Sequence, residues 1–376
     1  MTAQIFAGFA ISNASLYRRL CVPLGDPAAW IQIGDETIAL VRDLEMDRVR
    51  SKSQADTVTC PAEHAPDGGL SGDRETATAQ AAAELLRSRG VSAITADRTV
   101  PYIFAWHLQQ AGLQVSYDHE LGVLDRRTKS EQEIKYLAQA QSITEEVMKI
   151  MCETIARSQA GPSGELQHDG QSLTSERVKA MAAIEFLNRG CTMGHSAIVA
   201  TAPHVADCHH GGEGVLKTGV PVIVDLFPRD ESTRYWGDCT RTVVHGQPSE
   251  TVKAMHAAVV AAKAASTAAL KAGNLAANVH KAGEDVLIEA GYPVSRGVLT
   301  DHASIQHGTG HGIGLDLHEP ILLDHGGGAV LAGEVFTIEP GLYGRDVGGV
   351  RIEDMLVVTD GEATNLNRLH GGLDWT

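Results

Sequence analysis

The chain has 376 residues, 43% hydrophobic and 21% charged, which suits two globular domains with a substantial buried core. Its formal net charge of −16 argues against nucleic acid as a partner, because that needs a basic face to release counterions. Six cysteines (Cys21, Cys60, Cys152, Cys191, Cys208 and Cys239) form no CxxC pair, and no apolar run reaches the length of a membrane span. Asn13, Arg18 and Arg19 interrupt the N-terminal apolar run, so the expectation is a cytoplasmic protein with reduced thiols.

In the first third, short strand-like runs alternate with helical ones. Ile31–Ile33 and Thr37–Val41 flank Gly34-Asp35-Glu36, which is hairpin chemistry. Ala77–Arg89 reads as a helix ending at Gly90, with Val91–Ala96 as the strand that follows. The pattern continues to about Leu124 and predicts a small α/β domain over residues 1–127. Asp125–Lys129 reads as a short charged connector, and a second domain is expected over 128–376.

That domain opens with Ser130-Glu131-Gln132-Glu133, a capping box. Ile134, Leu137, Ile143, Val147 and Ile150 then recur near helical spacing, so a long amphipathic helix follows. Gly161–Gln171 reads as a loop and Thr174–Asn188 as a second helix. Two further helices are expected at Ser249–Ala272 and Ala276–Ala290, closed by Gly273 and Gly291.

The chemistry-bearing residues fall outside all these helices. Asp225 ends the continuous apolar run from Val222, the pattern of a strand buried on both sides, where a carboxylate is costly unless paired or metal-bound. Asp238, Thr240 and Thr242 share a strand face by alternation. Glu339 follows Val335 and Thr337 on one face, and Arg351 and Glu353 project together, so the guanidinium could orient the carboxylate. Buried together, Asp225, Asp238, Glu339 and Glu353 would repel one another, and two divalent cations would balance their four charges. His307 and His311 stand four apart, but Gly308, Gly310, Gly312 and Gly314 disfavour a helix there and favour a close-packed turn or strand. The alternation Ile313-Leu315-Leu317 predicts an ordered strand after them.

Four segments together carry a resemblance: Asp238-Cys-Thr-Arg-Thr242, His307-Gly-Thr-Gly-His311 through His318-Glu319, Thr337-Ile-Glu339-Pro-Gly341 and Val350-Arg-Ile-Glu353-Asp354. In this order they resemble the pita-bread metallopeptidases, which include methionine aminopeptidase, aminopeptidase P, prolidase and the metal-free creatinase. The resemblance covers roughly residues 128–376 and implies an α+β chain: a creatinase-like N-terminal domain, then a catalytic domain with a curved antiparallel sheet flanked by helices. It implies Asp225 on one metal ion, His311 and Glu339 on the other, and Asp238 and Glu353 bridging both. His209 and His318 match the family's substrate-handling histidines, and His307 a further histidine beside the site. One departure stands out. Asp225-Leu-Phe-Pro-Arg229 replaces the family's Asp-x-Gly, and the two aspartates are 13 positions apart rather than about eleven; an insertion of two keeps paired strands in phase.

The resemblance implies hydrolysis of an Xaa-Pro bond, in a dipeptide or at a peptide N-terminus. Two cations about 3.5–4 Å apart can hold a bridging hydroxide and polarise the scissile carbonyl, with Glu339 moving the proton and His209 and His318 steadying the substrate. Arg351 would support a carboxylate. The oxygen-rich ligand set favours Mn²⁺, with Co²⁺, Zn²⁺ and Fe²⁺ as alternatives. An N-terminal domain of about 125 residues points to the aminopeptidase P and prolidase branch and to a homodimer. The rival readings are a metal-dependent hydrolase of a non-peptide amide, resembling ectoine hydrolase, a lyase acting on a small charged metabolite, and a non-catalytic binding module of the same fold.

Overall fold

Alternation decides how the N-terminal residues pack: Ile5 and Ala7 enter one core, and Phe6 between them enters another. The computed structural model describes residues 2–194 and 196–376, which fall into two compact units, Met1–Arg126 and Arg127–Thr376. In the first unit the strands are β1 (Thr2–Phe9), β2 (Pro27–Ile33), β3 (Glu36–Leu40), β4 (Thr57–Thr59), β5 (Ala93–Ala96) and β6 (Gln114–Tyr117). They form one sheet in the order β4-β3-β2-β1-β5-β6. The helices are α1 (Ala14–Leu20), α2 (Met46–Lys52), α3 (Arg74–Ser88) and α4 (Tyr102–Gln110). Side chains of α1 and α2 pack on the Phe6 face and those of α3 and α4 on the Ile5 face. The Gly34-Asp35 turn joins β2 to β3, with Gly34 at φ 60°, where a glycine is least strained.

After the helical turn α5 (Leu124–Arg127), the second unit opens with α6 (Glu131–Ala156), whose Ser130–Glu133 capping box is complete. The small strands β7 (Gln159–Ala160), β8 (Leu166–His168) and β9 (Gln171–Ser172) lead into α7 (Ser175–Asn188), and β10 (Cys191–Thr192) follows. A three-stranded antiparallel sheet is built from β11 (Ile198–Ala200), β12 (Pro221–Leu226) and β14 (Cys239–Val244), while β13 (Arg229–Asp230) pairs with β10. Helices α8 (Glu250–Ala269) and α9 (Ala276–Glu289) precede β15 (Gly310–Gly312), β16 (Glu319–Leu323) and β17 (Val335–Ile338). The chain ends with β18 (Gly341–Gly344), β19 (Gly348–Arg351), β20 (Asp354–Val357) and β21 (Thr364–Asn365). A five-stranded sheet runs β16-β15-β17-β20-β21, and β18 and β19 form a hairpin.

Helices cover one side of these sheets. Val222, Val224 and Leu226 pack with Val147, Met151 and Phe186 of α6 and α7, so the same alternation turns Asp225 the other way. In like manner α8 packs on Leu342, Val350 and Ile352, and α9 on Phe336, Ile338 and Leu356. The polar ends of the strands are thereby left to face one another. No helix among the described residues is long and apolar enough to cross a membrane, and all six cysteines are free thiols.

Four local expectations are corrected. Gly161–Gln171 is not loop throughout: Leu166–His168 and Gln171 join a small three-stranded sheet, because Leu166 is fully buried in the α6–α7 core and its backbone is bonded to Leu173 and Leu216. Asp125–Lys129 is no solvated connector: its first residues belong to α5, and Lys129 is buried against Glu319 at 2.9 Å. Helix α8 closes at Leu270, three residues before Gly273, whereas Gly291 does follow directly on the C-cap of α9. Ile313–Leu317 bends instead of running as a strand. The Glu319 carboxylate turns back to accept the backbone N–H groups of Leu315 and Asp316, which closes a turn that an extended strand would open.

Candidate functional site

The β12–β14 register sets Asp225 directly opposite Thr240. Asp238 lies two residues before Thr240 and so shares its face, and the 13-residue spacing keeps the strands in phase. The added residues are not a simple hairpin, since they carry β13 away to pair with β10. Asp238 is clamped by a buried amide of α6: its N–H donates to Gln141 Oε1 (2.8 Å), and Gln141 Nε2 donates to its carbonyl (2.7 Å).

His311 is the middle residue of β15, and its glycine neighbours are there for clearance. A Cβ on Gly310 would stand 1.9 Å from the Thr337 carbonyl, and one on Gly312 2.7 Å from that of Glu319; only glycines let this strand lie so close to β16 and β17. His311 Nε2 is 3.6 Å from both Asp238 Oδ2 and Glu339 Oε1. Glu339, just beyond β17, is fixed by its N–H donating to the Thr309 carbonyl (2.8 Å). Glu353, just before β20, accepts from Thr240 Oγ1 (2.8 Å).

Arg351 is buried and works differently from the sequence expectation. Its guanidinium bonds Asp225 Oδ2 (2.7 Å) rather than Glu353, and reaches Glu353 only through Thr240, whose hydroxyl accepts from Nε (3.2 Å). Arg351 Nη1 also donates to Tyr343 Oη (3.0 Å), and Tyr343 Oη lies 2.6 Å from His307 Nε2. The other nitrogen of His307 is 2.7 Å from the Gly308 carbonyl. A chain of contacts therefore runs His307–Tyr343–Arg351–Asp225. Tyr343 and Gln141 are not singled out in the sequence, whereas Thr240 is placed there on the face of Asp238.

All nine predicted residues, Asp225, Asp238, His311, Glu339, Glu353, Arg351, His209, His307 and His318, line one cavity of about 650 Å³. Ile198, Phe227, Leu317 and Leu322 supply an apolar wall. His209 and His318 are exposed at its mouth, and the His318 ring meets that of His311 edge-on at 4.2 Å. His210, beside His209, is tied up elsewhere: it stacks on His204 and its Nδ1 accepts from the Gly212 N–H.

The electrostatics are those of a site short of positive charge. Burial, then repulsion from Glu353, Asp225 and Glu339, pushes Asp238 well above the ordinary carboxylate range. Burial and the neighbouring carboxylates lift Glu353 in the same way. Burial raises Glu339 to about 7. It also drives His311 and His307 down to about 3, so both imidazoles are neutral and their ring nitrogens keep a lone pair. Asp225 Oδ1 is buried without a hydrogen-bond partner. Asp238, His311 and Glu353 offer ligand atoms within 4.8 Å of one another. An unsatisfied carboxylate oxygen, crowded carboxylates and a neutral imidazole fit hard or borderline divalent cations, which would remove each of these costs.

Comparison with known proteins agrees with this chemistry. Residues 135–360 match the profile of metallopeptidase family M24. The probable dipeptidase PepE of Mycobacterium tuberculosis is 36% identical over 201 residues, which spans 52% of this chain and 51% of that one, about half the length of either. The Xaa-Pro dipeptidase of Pyrococcus horikoshii is 27% identical over 286 residues, 74% of both chains. In three dimensions the Xaa-Pro dipeptidase from Bacillus anthracis superposes with a TM-score of 0.81 at 21% identity, over 99% of this chain and 94% of that one. That likeness shows the fold: α+β, with a small N-terminal α/β domain and a pita-bread domain.

Proposed function

The chain belongs to metallopeptidase family M24, and from that premise we propose that it hydrolyses the Xaa-Pro bond of a dipeptide or of a peptide N-terminus. The observation that carries the reading is the convergence of Asp225, Asp238, His311, Glu339 and Glu353 on one cavity beside an apolar wall. In this proposal Asp225, Asp238, His311, Glu339 and Glu353 would hold the cations. The oxygen-rich donors favour Mn²⁺ over Co²⁺, Zn²⁺ or Fe²⁺. Bound there, two divalent ions would acidify a water and polarise the scissile carbonyl.

The chain's own residues do the rest. Glu339 carries the proton from the attacking water to the leaving nitrogen. His318 and His209, at the mouth of the cavity, donate to the substrate carbonyl and its developing oxyanion. Arg351 orients the Asp225 carboxylate, and His307 with Tyr343 holds Arg351 in place. Phe227 and Leu317 give the proline ring an apolar surface and keep water from it. The active form is a homodimer, which sedimentation velocity would check. The free thiols fit a cytoplasmic setting.

The test is hydrolysis of Ala-Pro and Ala-Pro-Ala with added Mn²⁺, beside a Glu353→Ala control. Cleavage of the dipeptide alone identifies a prolidase, and cleavage of the tripeptide after Ala identifies an aminopeptidase P. Bound metal without turnover of either peptide would refute the proline specificity and leave a non-peptide amide as substrate.

A further inference from the structure

A second set of ligand-type side chains gathers away from the cavity, between α9 and the turn after β16. His280 and Glu284 are one helical turn apart on α9. Glu284 Oε1 lies 3.3 Å from His280 Nε2 and 3.5 Å from His325 Nε2. Ligand atoms of the three residues all fall within 4.8 Å of one another. Donors bound to one tetrahedral zinc at its usual bond lengths are separated by about 3.3 Å, so these spacings already match the edges of such a site.

A second observation is independent of those distances. Glu284 is 9% exposed, and its Oε1 is fully buried without a hydrogen-bond partner. A network built only for structure would satisfy that oxygen, because leaving it bare is costly. His280 is also arranged as a ligand would be. Its Nδ1 is 3.0 Å from Thr309 Oγ1, which turns Nε2 toward Glu284. Burial lowers its pKa, so that Nε2 carries a lone pair at neutral pH.

We propose that His280, Glu284 and His325 form a further transition-metal site, for a borderline divalent cation such as Zn²⁺, with Asp324 as the fourth donor. Asp324 Oδ1 is 3.6 Å from His280 Nε2. Arg296 now occupies this corner: its Nη2 is 2.6 Å from Asp324 Oδ1 and 3.0 Å from His280 Nε2, and its Nη1 is 2.8 Å from Asp324 Oδ2. Arg296 is therefore a competitor for the same donors, and its one-third exposure lets it withdraw into water when the ion enters. Two carboxylates and two imidazoles then face the cation, a donor set that suits zinc better than calcium.

The site would act as a clamp. It ties the glycine-containing turn at residues 324–328 to α9, and two of its members connect to the main cavity, one directly and one through a neighbour. Asp324 lines that cavity, and Thr309, bonded to His280, accepts the N–H of Glu339. Occupancy would thus stiffen the backbone that carries Glu339 without contributing a group to the reaction.

The test is Co²⁺ titration of the full chain in an Asp238→Ala/Glu353→Ala background, which removes two of the three cavity residues whose ligand atoms lie within 4.8 Å of one another and makes the result independent of the peptidase reading. The expected result is one remaining Co²⁺ with the intense visible bands of tetrahedral nitrogen–oxygen coordination. Adding His325→Ala, at an exposed position, should weaken binding roughly tenfold to a hundredfold. Adding Arg296→Ala should tighten it about tenfold by removing the competitor, whereas a purely structural network predicts no gain. No Co²⁺ in the background protein, or equal affinity with and without His325, would overturn the proposal. If the double variant does not fold, bound Zn²⁺ is counted by native mass spectrometry on the wild type and on His325→Ala. One ion fewer in the variant supports the site, and an equal count refutes it.

Discussion

Lys129→Met is the substitution whose consequence can be worked furthest. Lys129 and Glu319 are both 3% exposed and 2.9 Å apart. The same carboxylate accepts the N–H groups of Leu315 and Asp316, which closes the turn that carries His318. The indole of Trp236 locks onto that turn through the Leu315 carbonyl (3.0 Å). Methionine keeps most of the volume but takes away the ammonium that faces the buried Glu319 carboxylate, and breaking such a pair costs about 3–5 kcal/mol. At roughly 2 °C per kcal/mol for a unit of this size, the melting temperature in chelator should fall by about 6–10 °C. Lys129→Met/Glu319→Gln should recover most of that loss, because the amide retains an acceptor for the two N–H groups without a charge to bury. Differential scanning calorimetry of the wild type and both variants decides the matter. A drop below about 2 °C in the single variant, or a double variant no better than the single, would refute the argument that charge burial, and not packing, sets the cost.

Three further outcomes follow from the same geometry. Tyr343→Phe removes the hydroxyl between His307 and Arg351; steady-state kinetics should show kcat lower by about tenfold with KM little changed, as expected when Asp225 is held less firmly. In chelator-treated protein, burial raises the Glu339 pKa from 4.5 to about 7, so the stability linked to its proton is complete below pH 4.5 and lost as pH rises through about 7. Chemical unfolding should therefore find the metal-free protein less stable at about pH 8 than at about pH 5, and added Mn²⁺ should flatten that difference. Gly310→Ala would press a methyl group into the Thr337 carbonyl; about 1–3 kcal/mol of overpacking and a weaker Mn²⁺ affinity are expected from denaturation and calorimetric titration.

Elements governed by near-neighbour physics were legible in the sequence: the Ser130–Glu133 capping box, the period of α6, the two-residue turn after Ile33 and the buried strand ending at Asp225. Each is decided by residues within a turn or two of one another. The strand expected at Ile313–Leu317 failed for the opposite reason. Its alternation is real, but Glu319 and the distant Lys129 bend the backbone, and nothing local announces that pair. The partner of Arg351 was misjudged likewise, since two residues on one strand face need not touch when Asp225 approaches from another sheet. Tyr343 and Gln141 carry no spacing signal, being joined to their partners from positions up to about a hundred residues away, and His325 meets the i, i+4 pair His280–Glu284 only through the fold. By itself, then, the sequence determined the ligand types and the local elements that bear them, because alternation, caps and glycines act over a few residues. Only the tertiary structure decided which of these side chains meet in one cavity and which hydrogen bonds hold them there, because that depends on how separate sheets close on one another and exclude water.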